Sequence, residues 1–177
     1  MTVITDGRTD WLLDPALAPT VDGDPLRPLY DGAARGELVL PFCSRCDAPV
    51  DLDQQVCDRC GSPETDWRAT DLHGTVHSAT LMRRLEPGLV ATTAPYPIVD
   101  VELRGGHRLI MTTVDVAPAV PRIGDNVRVG FRHLGGVALP AAYIESDSAA
   151  TEPASDGSAR TEPASFDLAS SDTEALS

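Results

Sequence analysis

The sequence predicts a mainly β protein: a short helix, a metal-binding ribbon built on four cysteines, then a small barrel of five strands. Three observations carry this. Two Cys-x-x-Cys pairs, Cys43/Cys46 and Cys57/Cys60, stand ten residues apart; the sequence after Trp67 changes to period-2 patterning broken by glycine turns; and no helical periodicity of useful length appears anywhere.

The helix comes first. Within residues 25–36, Leu26, Leu29, Tyr30 and Ala33 share one side and Gly36 supplies a stop. A helix so short is marginal alone, so it either packs on its own ribbon or is offered to a partner, with Leu26, Leu29 and Tyr30 as the contact residues.

The ribbon is predicted over 37–67. A Cys-x-x-Cys turn aims two thiolates at one point, and two such turns supply the four sulfurs of a tetrahedral zinc site. The ten-residue spacer admits a strand out and a strand back, with Val50–Val56 in that hairpin. Paired disulfides would need an oxidising compartment, and a redox pair would normally occur once, on a βαβ pattern that is absent. Four thiolates close the coordination sphere, so the zinc is expected to be structural, and its removal to unfold 37–67 before the rest.

The barrel is predicted over 68–146. Leu72–Met82 reads as its first strand. Tyr96–Leu103 is the second, with Val99, Val101 and Leu103 on one face; a two-residue turn at Gly105-Gly106 leads into the third, Arg108–Val114. Val127–Phe131 is the fourth, with Arg128 and Arg132 facing outward, and Leu139–Glu145 after Gly135-Gly136 is the fifth. Pro118 and Pro121 make the intervening connection a loop. Five short strands in this space suit an OB-fold.

Charge is uneven. The 177 residues hold 27 acidic and 14 basic side chains, every basic one an arginine, for a net charge of −13. Residues 1–31 contribute −4 and 146–177 contribute −6, which leaves −3 for the middle. Residues 1–24 read as an acidic N-terminal segment. The tail 147–177, with its repeated Thr-Glu-Pro-Ala-Ser, reads as disordered, because it holds too little apolar surface to offset its ordering entropy. No apolar run reaches the ~18 residues of a membrane span, and the start lacks the character of a secretory signal, so a cytoplasmic location with reduced thiols is expected.

The order of short helix, Gly-Glu-Leu-Val-Leu-Pro-Phe-Cys43-x-x-Cys46, Cys57-x-x-Cys60-Gly-Ser, Trp67, His-Gly74-Thr-Val, Ala-Pro95-Tyr96-Pro and Ile-Gly124-Asp-x-Val127 resembles the zinc-ribbon/OB-fold proteins associated with acyl-CoA metabolism. The resemblance spans roughly residues 25–145. It implies a rubredoxin-like zinc ribbon and a non-catalytic subunit that binds a thiolase-like enzyme, either a thiolase or a retro-aldolase of steroid side-chain breakdown. It also implies an OB barrel that helps to hold the acyl-CoA, and a hetero-oligomer of two plus two. The acidic loop between the cysteine pairs (Asp47, Asp51, Asp53, Asp58) departs from the family pattern and argues against a phosphate contact by the ribbon.

No catalytic residue is assigned. His73, His77, His107 and His133 sit on or beside strands with no nucleophile motif around them, and no phosphate-binding or nucleotide fingerprint occurs. Arg83, Arg84, Tyr96, Arg108 and Arg132 are the candidates for holding a CoA phosphate, since arginine makes bidentate contacts with phosphates. The alternative is an OB-fold that binds single-stranded nucleic acid. That mode needs a basic groove with stacking aromatics, and the barrel offers only Tyr96, Phe131 and Tyr143 as aromatics and few arginines.

Overall fold

A computed structural model of the chain describes residues 10–83, 86–117 and 120–145. The predicted disordered tail, Arg84 and Pro118 lie outside the described residues. In chain order the elements are a 3₁₀ turn at Pro15–Leu17, helix α1 (Arg27–Ala33), β1 (Leu38–Cys43), β2 (Thr65–Thr70), β3 (His73–Met82), β4 (Tyr96–Leu103), β5 (Arg108–Met111), β6 (Asn126–Leu134) and β7 (Val137–Ile144).

Helix α1 starts where Asp24 accepts from the Leu26 and Arg27 amides and Pro28 fills the first turn. It ends as Gly36 turns left-handed (φ 77°) while the Glu37 amide returns to the Gly32 carbonyl. Its apolar face is not left for a partner. Leu29, Gly32 and Ala33 are buried, and the helix lies against β1 and β7. Gly32 permits the approach, because a Cβ there would stand 2.5 Å from Val39 Cγ2.

The barrel has strand order β5-β4-β3-β6-β7, every ladder antiparallel. It closes where the segment just after β5 meets β7 in parallel: Thr113 bridges Ala142, the Val114 amide donates to Ala142 O and the Ala142 amide to Thr112 O. A shared first strand and a parallel closing pair give the five-stranded OB topology. Gly74 lies where β3 is paired on both sides, with Leu103 and with Val127.

The two predicted turns differ. Leu134 pairs with Val137, so Gly135-Gly136 is a two-residue turn with both residues at positive φ. The β4–β5 turn has three residues, Arg104-Gly105-Gly106, closed by the Leu103 amide donating to His107 O and the Gly106 amide to Leu103 O, and only Gly106 (φ 88°) is left-handed. Gly105 is there for space: a Cβ would meet Thr70 Oγ1 at 2.7 Å. The third strand is also shorter than predicted and ends at Met111, since Thr112 turns its hydroxyl onto Pro97 O.

One core joins barrel and ribbon. Leu29, Leu38 and Leu40 pack with Val76, Val99, Val101, Leu109, Val127 and Val129, and Trp67 lies against the same cluster. Burial of this many branched side chains, each contributing roughly 1.5–3 kcal/mol, makes β1 and β2 an outer layer of the barrel. A second, separate cluster contains Cys43, Ala48, Val50 and Cys57. The four cysteines belong to this second cluster, at the tip of the ribbon, while Leu38, Leu40 and Trp67 belong to the first.

Candidate metal centre and barrel surfaces

The two cysteine turns repeat one geometry. In the first, the Asp47 amide donates to Cys43 O and the Cys43 amide to Ala48 O; in the second, the Gly61 amide donates to Cys57 O and the Cys57 amide to Ser62 O. The residue after the second cysteine is left-handed in both, Asp47 at φ 60° and Gly61 at φ 69°. Aspartate is among the few non-glycine residues that tolerate this conformation, and Asp47 is tied further by Arg68 Nη2 at 2.6 Å. The Arg68 guanidinium in turn covers the Phe42 ring at 4.2 Å.

These turns bring the sulfurs of Cys43, Cys46, Cys57 and Cys60 within 4.8 Å of one another. Cys43–Cys60 and Cys46–Cys57 are 3.5 and 3.6 Å apart. A tetrahedral zinc with ~2.3 Å bonds wants sulfurs ~3.8 Å apart, so the set fits such an ion with small adjustment. Burial of Cys43 opposes ionisation, but the amides of Cys46 and Arg45 and the neighbouring thiols outweigh it and bring its pKa down to about 6. Sequence reading of these four ligands is matched by their convergence. The strand predicted at Val50–Val56 is replaced by turns, in which the Asp51 amide donates to Gln54 Oε1 and the Gln54 amide to Asp51 O. The ribbon's ladder is β1 with β2, from Leu38↔Thr70 to Cys43↔Thr65.

His107 joins ribbon and barrel. It is 2% exposed, its Nε2 donates to Pro41 O at 2.8 Å, and its ring meets Phe42 edge-on at 4.6 Å. Burial holds its pKa below the usual histidine value, so it is neutral. Among the other histidines, His73 Nδ1 lies 2.8 Å from Asp71, whose carboxyl is held below its usual range chiefly by the His73 amide and ring, and His77 Nδ1 lies 3.8 Å from Glu102.

The candidate phosphate-binding residues are dispersed. Arg83 directly follows Met82, which pairs with Tyr96, so these two sit at one end of β4. Arg108 pairs with Glu102 at the other end, six residues along β4 or roughly 20 Å away, and its guanidinium is bound to Asp100. It edges a groove of about 470 Å³ lined by Asp51, Leu52, Asp53, Asp100 and Ile110, a lining too acidic to attract phosphate. Arg132, expected to face outward, is turned under the N-terminal segment: its side chain is 11% exposed and Nη1 grips both oxygens of Asp10 at 2.7 and 2.8 Å. Of the expected partner contacts, Leu29 is 4% exposed within the protein's own core, Tyr30 packs against it, and Leu26 is half-buried.

The role of Asp10-Trp11-Leu12 escaped the sequence reading, which took 1–24 as merely acidic. The signal was present: an aspartate before an apolar triplet can accept from the amides two and three residues on, as Asp10 does from Leu12 and Leu13.

Residues 67–132 match the model of the ChsH2 C-terminal OB-fold domain. The chain is also similar to a solved chain of an Ltp2-ChsH2(DUF35) aldolase, with a TM-score of 0.59 and 26% identity over 72% of this chain and 98% of that one. Together these matches support the OB-fold, acyl-CoA-associated family. The chain is also similar to a probable enoyl-CoA hydratase alpha subunit of Thermomonospora curvata, 30% identical over 95 residues. The match takes in 54% of this chain but 29% of the hydratase subunit, so the chain spans under a third of that relative's length. Among the described residues no helix is long and apolar enough to cross a membrane.

Proposed function

We propose that this chain is a non-catalytic subunit that binds a thiolase-like enzyme, a thiolase or a retro-aldolase, and helps to hold its acyl-CoA substrate. The observation that carries this reading is the match to a chain from an Ltp2-ChsH2(DUF35) aldolase, which takes in 98% of that chain and 72% of this one. Similarity to a hydratase subunit points to the same class of thioester. The ribbon holds a structural zinc through Cys43, Cys46, Cys57 and Cys60; four thiolates leave no open position for water, so the ion stabilises the knuckles and takes no part in chemistry. A reducing, cytoplasmic setting suits such thiolates.

Arg83 and Tyr96, at one end of β4, are the candidate CoA contacts nearest each other. Arg108 is held by Asp100 and contributes less. Binding of single-stranded nucleic acid is the weaker reading, because the chain's own N-terminal segment crosses the region between the barrel loops where OB-folds usually take such ligands.

Co-purification of this chain with a thiolase-like enzyme from its own cell extract tests the proposal. A stable two-plus-two complex that turns over an acyl-CoA, with no turnover by this chain alone, is expected. Elution of the two proteins as separate species, or turnover by the isolated chain, would overturn it. Metal analysis should find one zinc per chain.

A further inference from the structure

Residues 10–18 form a strap across the barrel. Leu13 bridges Val90 in the β3–β4 connection, the Asp14 amide donates to Leu89 O, and the Ala91 amide donates to Leu12 O. Trp11 Nε1 reaches the Thr113 carbonyl at 3.2 Å. At its far end the strap runs against the β6–β7 turn so closely that a Cβ on Gly135 would stand 2.6 Å from Ala18 Cβ and 2.7 Å from Pro15 O. The strap thus spans the loop after the first barrel strand and the turn between the fourth and fifth. Those two loops flank the usual ligand cleft of an OB-fold.

One interaction locks it. The Asp10 side chain is fully buried, and its carboxylate accepts from Arg132 Nη1 through both oxygens and from the Leu12 and Leu13 amides through Oδ1. Asp10 is well satisfied; Arg132 is not. A guanidinium carries five N–H donors in a fork matched to an oxyanion, yet this pair uses a single nitrogen, and Arg132 Nε is buried with no partner among the described residues. The carboxylate therefore occupies an anion site without filling it. Elsewhere the strap is thinly held: Leu12 is its one deeply buried apolar side chain, and Pro15, Ala16 and Leu17 are exposed. Few buried apolar contacts are the mark of a segment that opens on its own.

We propose that residues 10–18 are a latch over the barrel's ligand cleft, with Asp10 standing in for an anionic ligand group, and that opening it frees Arg132 to bind a phosphate of CoA. The choice of CoA rests on the subunit function proposed above; the latch does not.

Hydrogen exchange on the full chain tests the latch. The amides of Leu12, Leu13, Asp14 and Ala91 should exchange as one group, faster than those of β4. Asp10→Asn should accelerate this group by roughly 10-fold, the equivalent of one charge-assisted hydrogen bond, and leave β4 unchanged. Exchange of the group at the rate of β4 in the wild type, or loss of β4 protection in Asp10→Asn, would overturn the latch. Calorimetric titration with CoA tests the anion site. Asp10→Ala should bind CoA at least ~10-fold more tightly than the wild type, and adding Arg132→Gln should abolish the gain. Equal affinity in wild type and Asp10→Ala would overturn the anion site. Failure of the thiolase-like partner to bind would sink the subunit reading and leave the exchange result standing.

Discussion

Replacing His107 by alanine removes a donor and a ring from the seam between ribbon and barrel. The Pro41 carbonyl loses its 2.8 Å partner and keeps only the Val50 amide at 3.1 Å, and a buried hydrogen bond lost in this way costs about 0.5–1.5 kcal/mol. The edge-on contact with Phe42 adds about 0.5–1.5 kcal/mol. Together these predict a loss of about 1–3 kcal/mol. In urea, with a slope near ~2 kcal/mol per molar, the unfolding midpoint should fall by ~0.5–1.5 M, followed through tryptophan fluorescence because Trp67 packs on the shared core. The effect should also depend on pH. Burial lowers the folded-state pKa of His107, so the unfolded chain binds the proton more readily, and stability is lost as pH falls through about 6.5. His107→Gln, which cannot titrate, should show a shallower loss below that pH than the wild type. A midpoint shift worth under ~0.5 kcal/mol, or identical pH slopes in His107→Gln and wild type, would refute the assignment of His107 as a neutral structural joint.

Gly74→Ala should destabilise by about 2 kcal/mol in the same urea assay, because a Cβ would stand 2.4 Å from the Glu102 carbonyl oxygen, a ladder atom that cannot move aside. Gly130→Ala should cost less, since the two closest atoms in its way belong to the half-exposed ring of Tyr143, which can swing toward solvent, and Val114 Cγ2 stands only at 3.0 Å. Chelation should remove exchange protection from the amides of Cys43, Asp47, Cys57 and Gly61 while the amides of β4 keep theirs; simultaneous loss throughout would contradict the two-cluster core. A gel-shift with single-stranded DNA at moderate salt should show no complex, as the net charge of −13 and the strapped cleft both oppose one.

What the sequence revealed, it revealed through local chemistry. Cysteine spacing located four ligands because each Cys-x-x-Cys turn is closed by its own backbone bonds. Alternating Val99, Val101 and Leu103 announced β4 because one face of it meets the core. Two of the misses depended on contacts between distant residues, and the third on a local side-chain bond. Arg132 faces outward by strand alternation, but Asp10, 122 residues away, draws it under the strap. The β4–β5 turn looked complete with two glycines, yet one of them answers to Thr70 of the ribbon. The Val50–Val56 strand failed because Asp51 and Gln54 bond each other locally and leave no partner strand to meet.

The shared core has a practical meaning for how this protein can be divided. The recognisable barrel begins at Trp67, but Leu38 and Leu40, at 1% and 0% exposure, fill its outer side from the preceding strand. A fragment cut at Trp67 would present Val76, Val101 and Leu109 to water and would be expected to aggregate. The smallest piece that can be expressed soundly starts before the helix, so ribbon and barrel reach any partner as one rigid body whose orientation is set before docking.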